Sequence, residues 1–272
     1  MVPMDSTSAV RRDGVRAADG TSGDVVAVLA VKHLTEAKSR LAASRRRADA
    51  GPHRALVLAM LLDTLDAITG AGIDRVVVVS PDELVLDAAR SVGAIGVPEM
   101  SSSAVGADSL NLAFSQGAAT ARDRWPRITR VICVQADLPA ARAESIRDVL
   151  GAAAGHVQSV LTDRAGTGTT MLIRAAHIAE PPRFGPDSAA AHRLAGAVEL
   201  DADHLLWPDL RTDVDTETDL EAADALGVGR HTSATMSRHP RDTDAPPVGR
   251  HRRRADRART PDRHAPVTKD AS

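Results

Sequence analysis

Aromatic side chains are nearly missing from this chain: it has no Tyr, two Phe and two Trp in 272 residues. Any core must therefore be aliphatic, and the hydrophobic fraction of 43%, close to the globular average, is mostly Ala, Val and Leu. Bases of single-stranded nucleic acid stack on aromatic rings, so no dedicated nucleic-acid site is expected. Cysteine is as scarce. The single Cys133 excludes an internal disulfide and suits a reducing compartment, and its place in the apolar run VICV favours an inert buried thiol over a reactive one. No apolar run approaches the roughly 20 residues that cross a bilayer, and the first residues lack the apolar segment of a secretory signal. A cytoplasmic protein with no membrane partner is expected. No glycine-rich loop follows the first predicted strand, so neither the P-loop nor the dinucleotide fingerprint applies. The histidines are scattered without ligand spacing, which argues against zinc.

What is present falls into three parts. Residues 1–24 are polar and aperiodic, which predicts a disordered extension. From 230 to 272 periodicity is lost again, with 11 Lys and Arg against 5 Asp, and a disordered basic tail is expected. That tail reads as a solvated extension or as a weak contact with a polyanion. It also hides an asymmetry behind the formal net charge of -2, because the remaining body is acidic. Between the tails, in residues 25–229, apolar strands alternate with amphipathic helices. Strands are predicted at Val25–Val31, Arg75–Ser80, Gly93–Val97, Arg130–Ala136, Ser159–Thr162 and Thr170–Arg174. Helices are predicted at Arg54–Ile68, Asp82–Ser91, Asp108–Arg122, Ala141–Ala152 and Glu217–Leu226. This alternation implies a single α/β domain of Rossmann-like type, with a mostly parallel sheet flanked by helices. Ligands of such sheets bind at the carboxyl ends of the strands.

The residues at those ends carry chemistry. After the first strand, AVKHLTEAKSRLA places Lys32, Lys38 and Arg40 together with little counter-charge beyond Glu36. Such a loop suits a triphosphate, and would equally serve as a solvated amphipathic turn. After the fourth strand, QADLPA puts Asp137 at the strand end, where a carboxylate holds Mg2+ or caps the next turn. In RTDVDTETDL, Asp213 and Asp215 share one face of an extended segment, and two carboxylates on one face repel unless a cation lies between them. Asp215 or Thr216 is also a candidate N-cap of the last predicted helix. DRAGTGTTM offers two glycines for close backbone approach, with the hydroxyls of Thr167 and Thr169 beside them. In RFGPDSAAAH one of the two Phe sits in a turn ahead of a predicted helix start at Asp187 or Ser188. Helix N-termini bind anions, so Gly185, Ser188 and Arg183 read as an anion cradle. Phe184 is either an anchor for that loop or an apolar wall beside the ligand.

In order, AVKHLTEAKSRL, VVVSPD, QADLP, DRAGTGT, RFGPDS and DVDT resemble the guanylyltransferases that act on phosphoenolpyruvate or 2-phospho-L-lactate in biosynthesis of the deazaflavin coenzyme F420, and are most similar to the actinobacterial branch. The resemblance covers roughly residues 25–229. It implies a nucleotide-diphospho-sugar-transferase-like fold, and GTP plus a phosphorylated three-carbon acid as substrates, with pyrophosphate released. On this reading the metal-binding carboxylates are Asp137, Asp213 and Asp215, and the acceptor contacts are Thr169, Gly185 and Ser188. Lys32, Lys38 and Arg40 match the basic triphosphate loop, and Asn111 in DSLNLAF matches a Leu-Asn element near the nucleotide. The segment 43–55, ASRRRADAGPHRA, departs from the family in being richer in arginine. The acceptor expected of the actinobacterial branch is phosphoenolpyruvate, with 2-phospho-L-lactate or another phosphorylated three-carbon acid as the alternative. A non-catalytic nucleotide-binding scaffold with a partner-binding tail is the alternative of another class. The sequence carries no signal for oligomeric state.

Overall fold

The computed structural model describes residues 24–34, 50–100 and 106–238. The two expected disordered tails therefore fall outside the described residues, apart from Asp24 and residues 230–238. Alternation of strand and helix produces the expected order: β1 (Val25–Ala30), α1 (Ala50–Gly70), β2 (Val76–Ser80), α2 (Glu83–Ser91), β3 (Ile95–Pro98), α3 (Ala107–Arg124), β4 (Arg130–Val134), α4 (Ala143–Ala153), β5 (Gln158–Thr162), β6 (Thr169–Ala175), α5 (Ser188–Leu194), β7 (Val198–Glu199), α6 (Pro208–Arg211), α7 (Glu217–Leu226) and α8 (Arg230–Arg238). The sheet runs β3-β2-β1-β4-β6-β5-β7. β3, β2, β1 and β4 are mutually parallel. β6 runs antiparallel to both β4 and β5, and β7 is parallel to β5. Every strand but β6 thus points the same way.

The apolar runs are continuous because both faces of the sheet are covered. Along β1, Ala27 and Leu29 face one core while Val26, Val28 and Ala30 face the other. β2 divides in the same way, Val76 and Val78 against Val77 and Val79, and so does β4, Ile132 and Val134 against Val131 and Cys133. The first core is closed by α1 (Leu56, Met60, Leu61, Leu65, Ile68), α4 (Ile146, Val149) and α7 (Leu220, Ala223). The second is closed by α3 (Ala113, Phe114, Ala118, Ala121) and by Phe184. α3 lies very close to the sheet. A Cβ on Gly117 would collide with Val28 Cγ1 and come within 3.0 Å of Val79 Cγ2, so only glycine permits this approach. Cys133 lies fully buried in the second core, where burial pushes its thiol up to about 11, as expected of an inert side chain.

The structure departs from expectation in three elements. β7 and α6 are too short to leave a periodic pattern. α8 corrects the domain boundary: Arg230–Arg238 is helical and packed on α1, where a disordered tail was expected from residue 230. Its own sequence, RHTSATMSR, has no apolar stripe. It is held from outside instead. Asp63 of α1, only 4% exposed, accepts from the backbone N–H of His231 at 2.9 Å and of Thr232 at 2.8 Å, capping α8 from another helix. Gly229 N–H donates to Pro139 O at 2.8 Å. Replacing Asp63 by Ala removes two bonds to a helix terminus and should lower unfolding free energy by about 1–2 kcal/mol. Urea denaturation checks this.

Candidate functional site

The chain order places β1 between β2 and β4, so successive crossovers leave β1 in opposite directions. The carboxyl ends of β1 and β4 thus lie where the strand order reverses, the usual ligand position of an open α/β sheet. Asp137 follows β4 at this edge and is 5% exposed. Its backbone is clamped by Thr64 of α1. The Thr64 hydroxyl accepts from Leu138 N–H at 3.1 Å and donates toward Met60 O at 2.9 Å and Ala136 O at 3.3 Å. Val214 N–H donates to Asp137 O at 3.1 Å. Val214 itself is fully buried between the two acidic residues. Asp213 is half-buried and Asp215 exposed. The N-cap of α7 is Thr216, in a reciprocal capping box with Asp219, so the capping role does not fall on Asp215.

The reversed direction of β6 brings its first residue, Thr169, to the same edge. Gln135 N–H donates to Thr170 O at 2.9 Å across the β4–β6 pair. The loop before Thr169 is tied on both sides: Ala189 N–H of α5 donates to Thr167 O at 3.0 Å, and Arg164 N–H donates to Arg211 O at 2.8 Å. Arg211, 2% exposed, spreads its guanidinium over the carbonyls of Thr162, Leu200, Asp201 and Leu206 and over the Asp201 carboxylate. The segment bearing Asp213 and Asp215 and the Gly-Thr loop are thereby joined through one buried cation.

The segment Arg183–Ser188 is anchored by its Phe. Phe184, 2% exposed, stacks on Phe114 with centroids 4.5 Å apart and meets His192 edge-on at 5.2 Å. These two Phe are the whole Phe content of the chain. Asn111 completes the anchor. Its amide donates to Phe184 O at 3.0 Å and accepts from Phe184 N–H at 2.8 Å, so Asn111 clamps the loop. At the expected anion cradle the first backbone donors are already engaged. α5 has seven residues, and the N–H groups of Ser188 and Ala189 already donate to Gly185 O and Thr167 O. Ser188 itself is 2% exposed, Gly185 is half-buried and Arg183 is exposed.

Of the expected basic loop, Lys32 is described: it is half-buried, and its Nζ donates to Gly106 O at 3.1 Å, ahead of α3. Lys38 and Arg40 lie outside the described residues, as does the arginine run 45–47. Among the described residues, the three ligand-type side chains whose donor atoms lie within 4.8 Å of one another are Asp63, Asp66 and His231, and the expected carboxylates do not converge that closely. That group belongs to the α1–α8 junction, where Asp63 caps α8 and Asp66 pairs with Arg230 at 3.0 Å. Thr64, His192 and Arg211 were not predicted. Thr64 and Arg211 act through backbone carbonyls and N–H groups, which leave no motif.

Residues 25–235 match the family described as guanylyl transferase CofC like. The chain belongs to this family. A relative from Nocardia farcinica named phosphoenolpyruvate guanylyltransferase is 47% identical over 214 residues, covering 78% of this chain and 90% of that protein. A relative of the same name from Mycolicibacterium vanbaalenii is 42% identical over 224 residues, 81% of this chain and 99% of that protein. A solved nucleotidyl transferase from Methanothermobacter thermautotroptrophicus is 15% identical with a TM-score of 0.48, over 74% of this chain and 97% of that one. The actinobacterial, guanylyltransferase resemblance read from the motifs is thus the right one. The family match also extends into α8, beyond the boundary at residue 229. Among the described residues no helix is long and apolar enough to cross a membrane.

His192 is 1% exposed, and burial first, then the charges of Arg174 and Arg183, lower its pKa from 6.5 to about 4. Because the folded value lies below the unfolded one, its stabilising contribution is complete above pH 6.5 and is lost as pH falls toward 4. Chemical denaturation between these pH values should show a steeper acid loss for the native chain than for His192→Asn. Asn111→Ala leaves a buried Phe184 N–H without its acceptor and should destabilise the protein by about 1–3 kcal/mol. The same denaturation experiment at neutral pH measures it.

Proposed function

We propose that the protein is a phosphoenolpyruvate guanylyltransferase, joining GTP and phosphoenolpyruvate into enolpyruvoyl-diphospho-5'-guanosine with release of pyrophosphate, in coenzyme F420 biosynthesis in the cytoplasm. Family membership and the names of the relatives support the reading. The observation that carries it is the meeting of three segments at one sheet edge: Asp137 after β4, the Asp213–Asp215 segment hydrogen-bonded to the Asp137 carbonyl, and Thr169 at the start of the reversed β6.

Both substrates are anions, so the barrier is mainly repulsion and positioning. An ionised phosphate oxygen of the acceptor attacks the α-phosphorus of GTP in line, and the bond to the pyrophosphate oxygen breaks. No general base is needed, because the acceptor phosphate is already ionised near neutral pH. Thr169, Gly185 and Ser188 hold the acceptor, with Arg183 adding positive charge at the exposed rim. Lys32, with N–H donors beyond the one on Gly106, neutralises the triphosphate with Lys38 and Arg40. Asn111 serves the site through the Phe184 backbone. The donor chemistry suits Mg2+: three carboxylates supply hard oxygen ligands, the Val214–Asp137 backbone bond holds their two segments together, and a bound ion would draw their side chains closer than they stand. Mg2+ held by Asp137, Asp213 and Asp215 would supply charge neutralisation at the reacting phosphates.

The test offers purified protein GTP and Mg2+ with phosphoenolpyruvate or 2-phospho-L-lactate in separate arms and measures pyrophosphate. Release with phosphoenolpyruvate is expected. Release with 2-phospho-L-lactate alone would reassign the acceptor, and release with neither, even with a downstream enzyme trapping the product, would refute the reading. Asp137→Ala and Asp215→Ala should abolish turnover while circular dichroism stays native. Turnover near the wild-type rate in either variant would remove the metal assignment.

A further inference from the structure

His192 lies outside the motifs of the resemblance and has no assigned role, yet it stands between two segments of the acceptor site. Its two ring nitrogens have different partners. Nε2 lies 2.9 Å from the backbone N of Arg183, and Nδ1 lies 3.0 Å from Oγ1 of Thr169. A backbone N–H can only donate, so Nε2 must be the bare, accepting nitrogen. A neutral imidazole then carries its proton on Nδ1 and donates it to Oγ1. Since Oγ1 accepts from His192, the Thr169 hydroxyl proton must turn elsewhere. Among the described residues His192 is the one hydrogen-bond partner of this hydroxyl. The ring cannot easily reverse, because Phe184 packs against its edge at 5.2 Å and Phe184 is itself clamped by Asn111 and stacked on Phe114. His192 also sits one turn after Ser188 on α5, so one short helix carries both.

We infer that His192 is a positioning residue that sets the polarity of the acceptor site: the chain Arg183 N–H, His192, Thr169 O–H fixes the Thr169 hydroxyl as a donor aimed at an anionic oxygen of the bound phospho-acid. This rests on the acceptor-binding role proposed above for Thr169. The same chain ties the Arg183–Ser188 loop to the first residue of β6, so acceptor donors from the two segments keep one relative placement. The depression of the His192 pKa to about 4 agrees with a ring that stays neutral during turnover. A charged ring would have to donate from both nitrogens and would face the Arg183 N–H donor to donor.

Two measurements test the inference. The first reads the tautomer directly by nitrogen-15 NMR of the whole protein labelled at histidine, with the His192 signals assigned by their loss in His192→Asn. A protonated Nδ1 and bare Nε2 are expected, and a protonated Nε2 would overturn the inference whatever the enzyme's substrate. The second is steady-state kinetics. Loss of a hydrogen bond to an anion should raise the acceptor KM about tenfold in Thr169→Val and in His192→Leu, with the GTP KM changed less than about twofold. The double variant should be no worse than Thr169→Val alone, since both changes remove one donor. His192→Asn keeps an N–H near the Nδ1 position and should recover most of the acceptor affinity lost in His192→Leu. Independent, multiplying effects of the two substitutions, or an equal rise in both KM values, would reduce His192 to a packing residue. Should His192→Leu fail to fold, His192→Gln replaces it: its amide oxygen accepts near Nε2 but nothing donates to Thr169, so its acceptor KM should resemble that of Thr169→Val. If the wild-type chain turns over neither acceptor, the functional reading fails, while the NMR result still decides the hydrogen-bond polarity.

Discussion

One reversed strand organises the molecule. β6 pairs antiparallel with β4, and every other strand of the sheet points the opposite way. A strand's direction decides which of its ends meets the ligand edge. In a wholly parallel sheet Thr169, at the amino end of its strand, would lie on the face away from Asp137. Because β6 is reversed, the Gly-Thr loop that precedes it emerges beside the end of β4, on the same edge as Asp137. The pairing is robust because Met171, Leu172 and Ile173 are fully buried on both faces of the strand.

Around that edge, several polar side chains hold backbone. Thr64 bridges the turn carrying Asp137, Asn111 binds both backbone groups of Phe184, Arg211 gathers four carbonyls, and Asp63 caps α8. Each removes the penalty of a buried N–H or C=O in a loop that lacks regular structure. The result is a set of irregular segments kept in fixed relation by a few buried side chains. That is what a reaction between two anions requires, since most of its catalysis is placement.

Much of the layout was legible in the sequence. The strands β1, β2 and β4 announce themselves as unbroken aliphatic runs, because a strand covered on both faces has no polar side to show. In DVDT the apolar Val214 between two acidic residues could be read as the buried position, and it is fully buried. The turn in RFGPDS and the anchoring role of Phe184 were also open to inspection, since a lone aromatic in a loop of an aromatic-poor chain needs a pocket. Less visible was the use of the helix start after it. Ser188 and Ala189 look like free N–H donors on paper, but their partners, Gly185 O and Thr167 O, come from a turn and from a loop some twenty residues away. α8 was invisible for a related reason: its stability comes from Asp63 on another helix, and its own composition looks like a tail.

The sequence by itself determined the α/β class, the strand positions and the family, because hydrophobic period and motif order are local properties of the chain. Only the tertiary structure decided that Asn111 clamps a loop, that Asp63 in the middle of α1 caps the start of α8, and that His192 stands between Arg183 and Thr169. Those roles depend on which donor meets which acceptor across distances of nine to more than one hundred and sixty residues. A hydrogen bond has a direction and a partner, and neither is written in the spacing of the residues that make it.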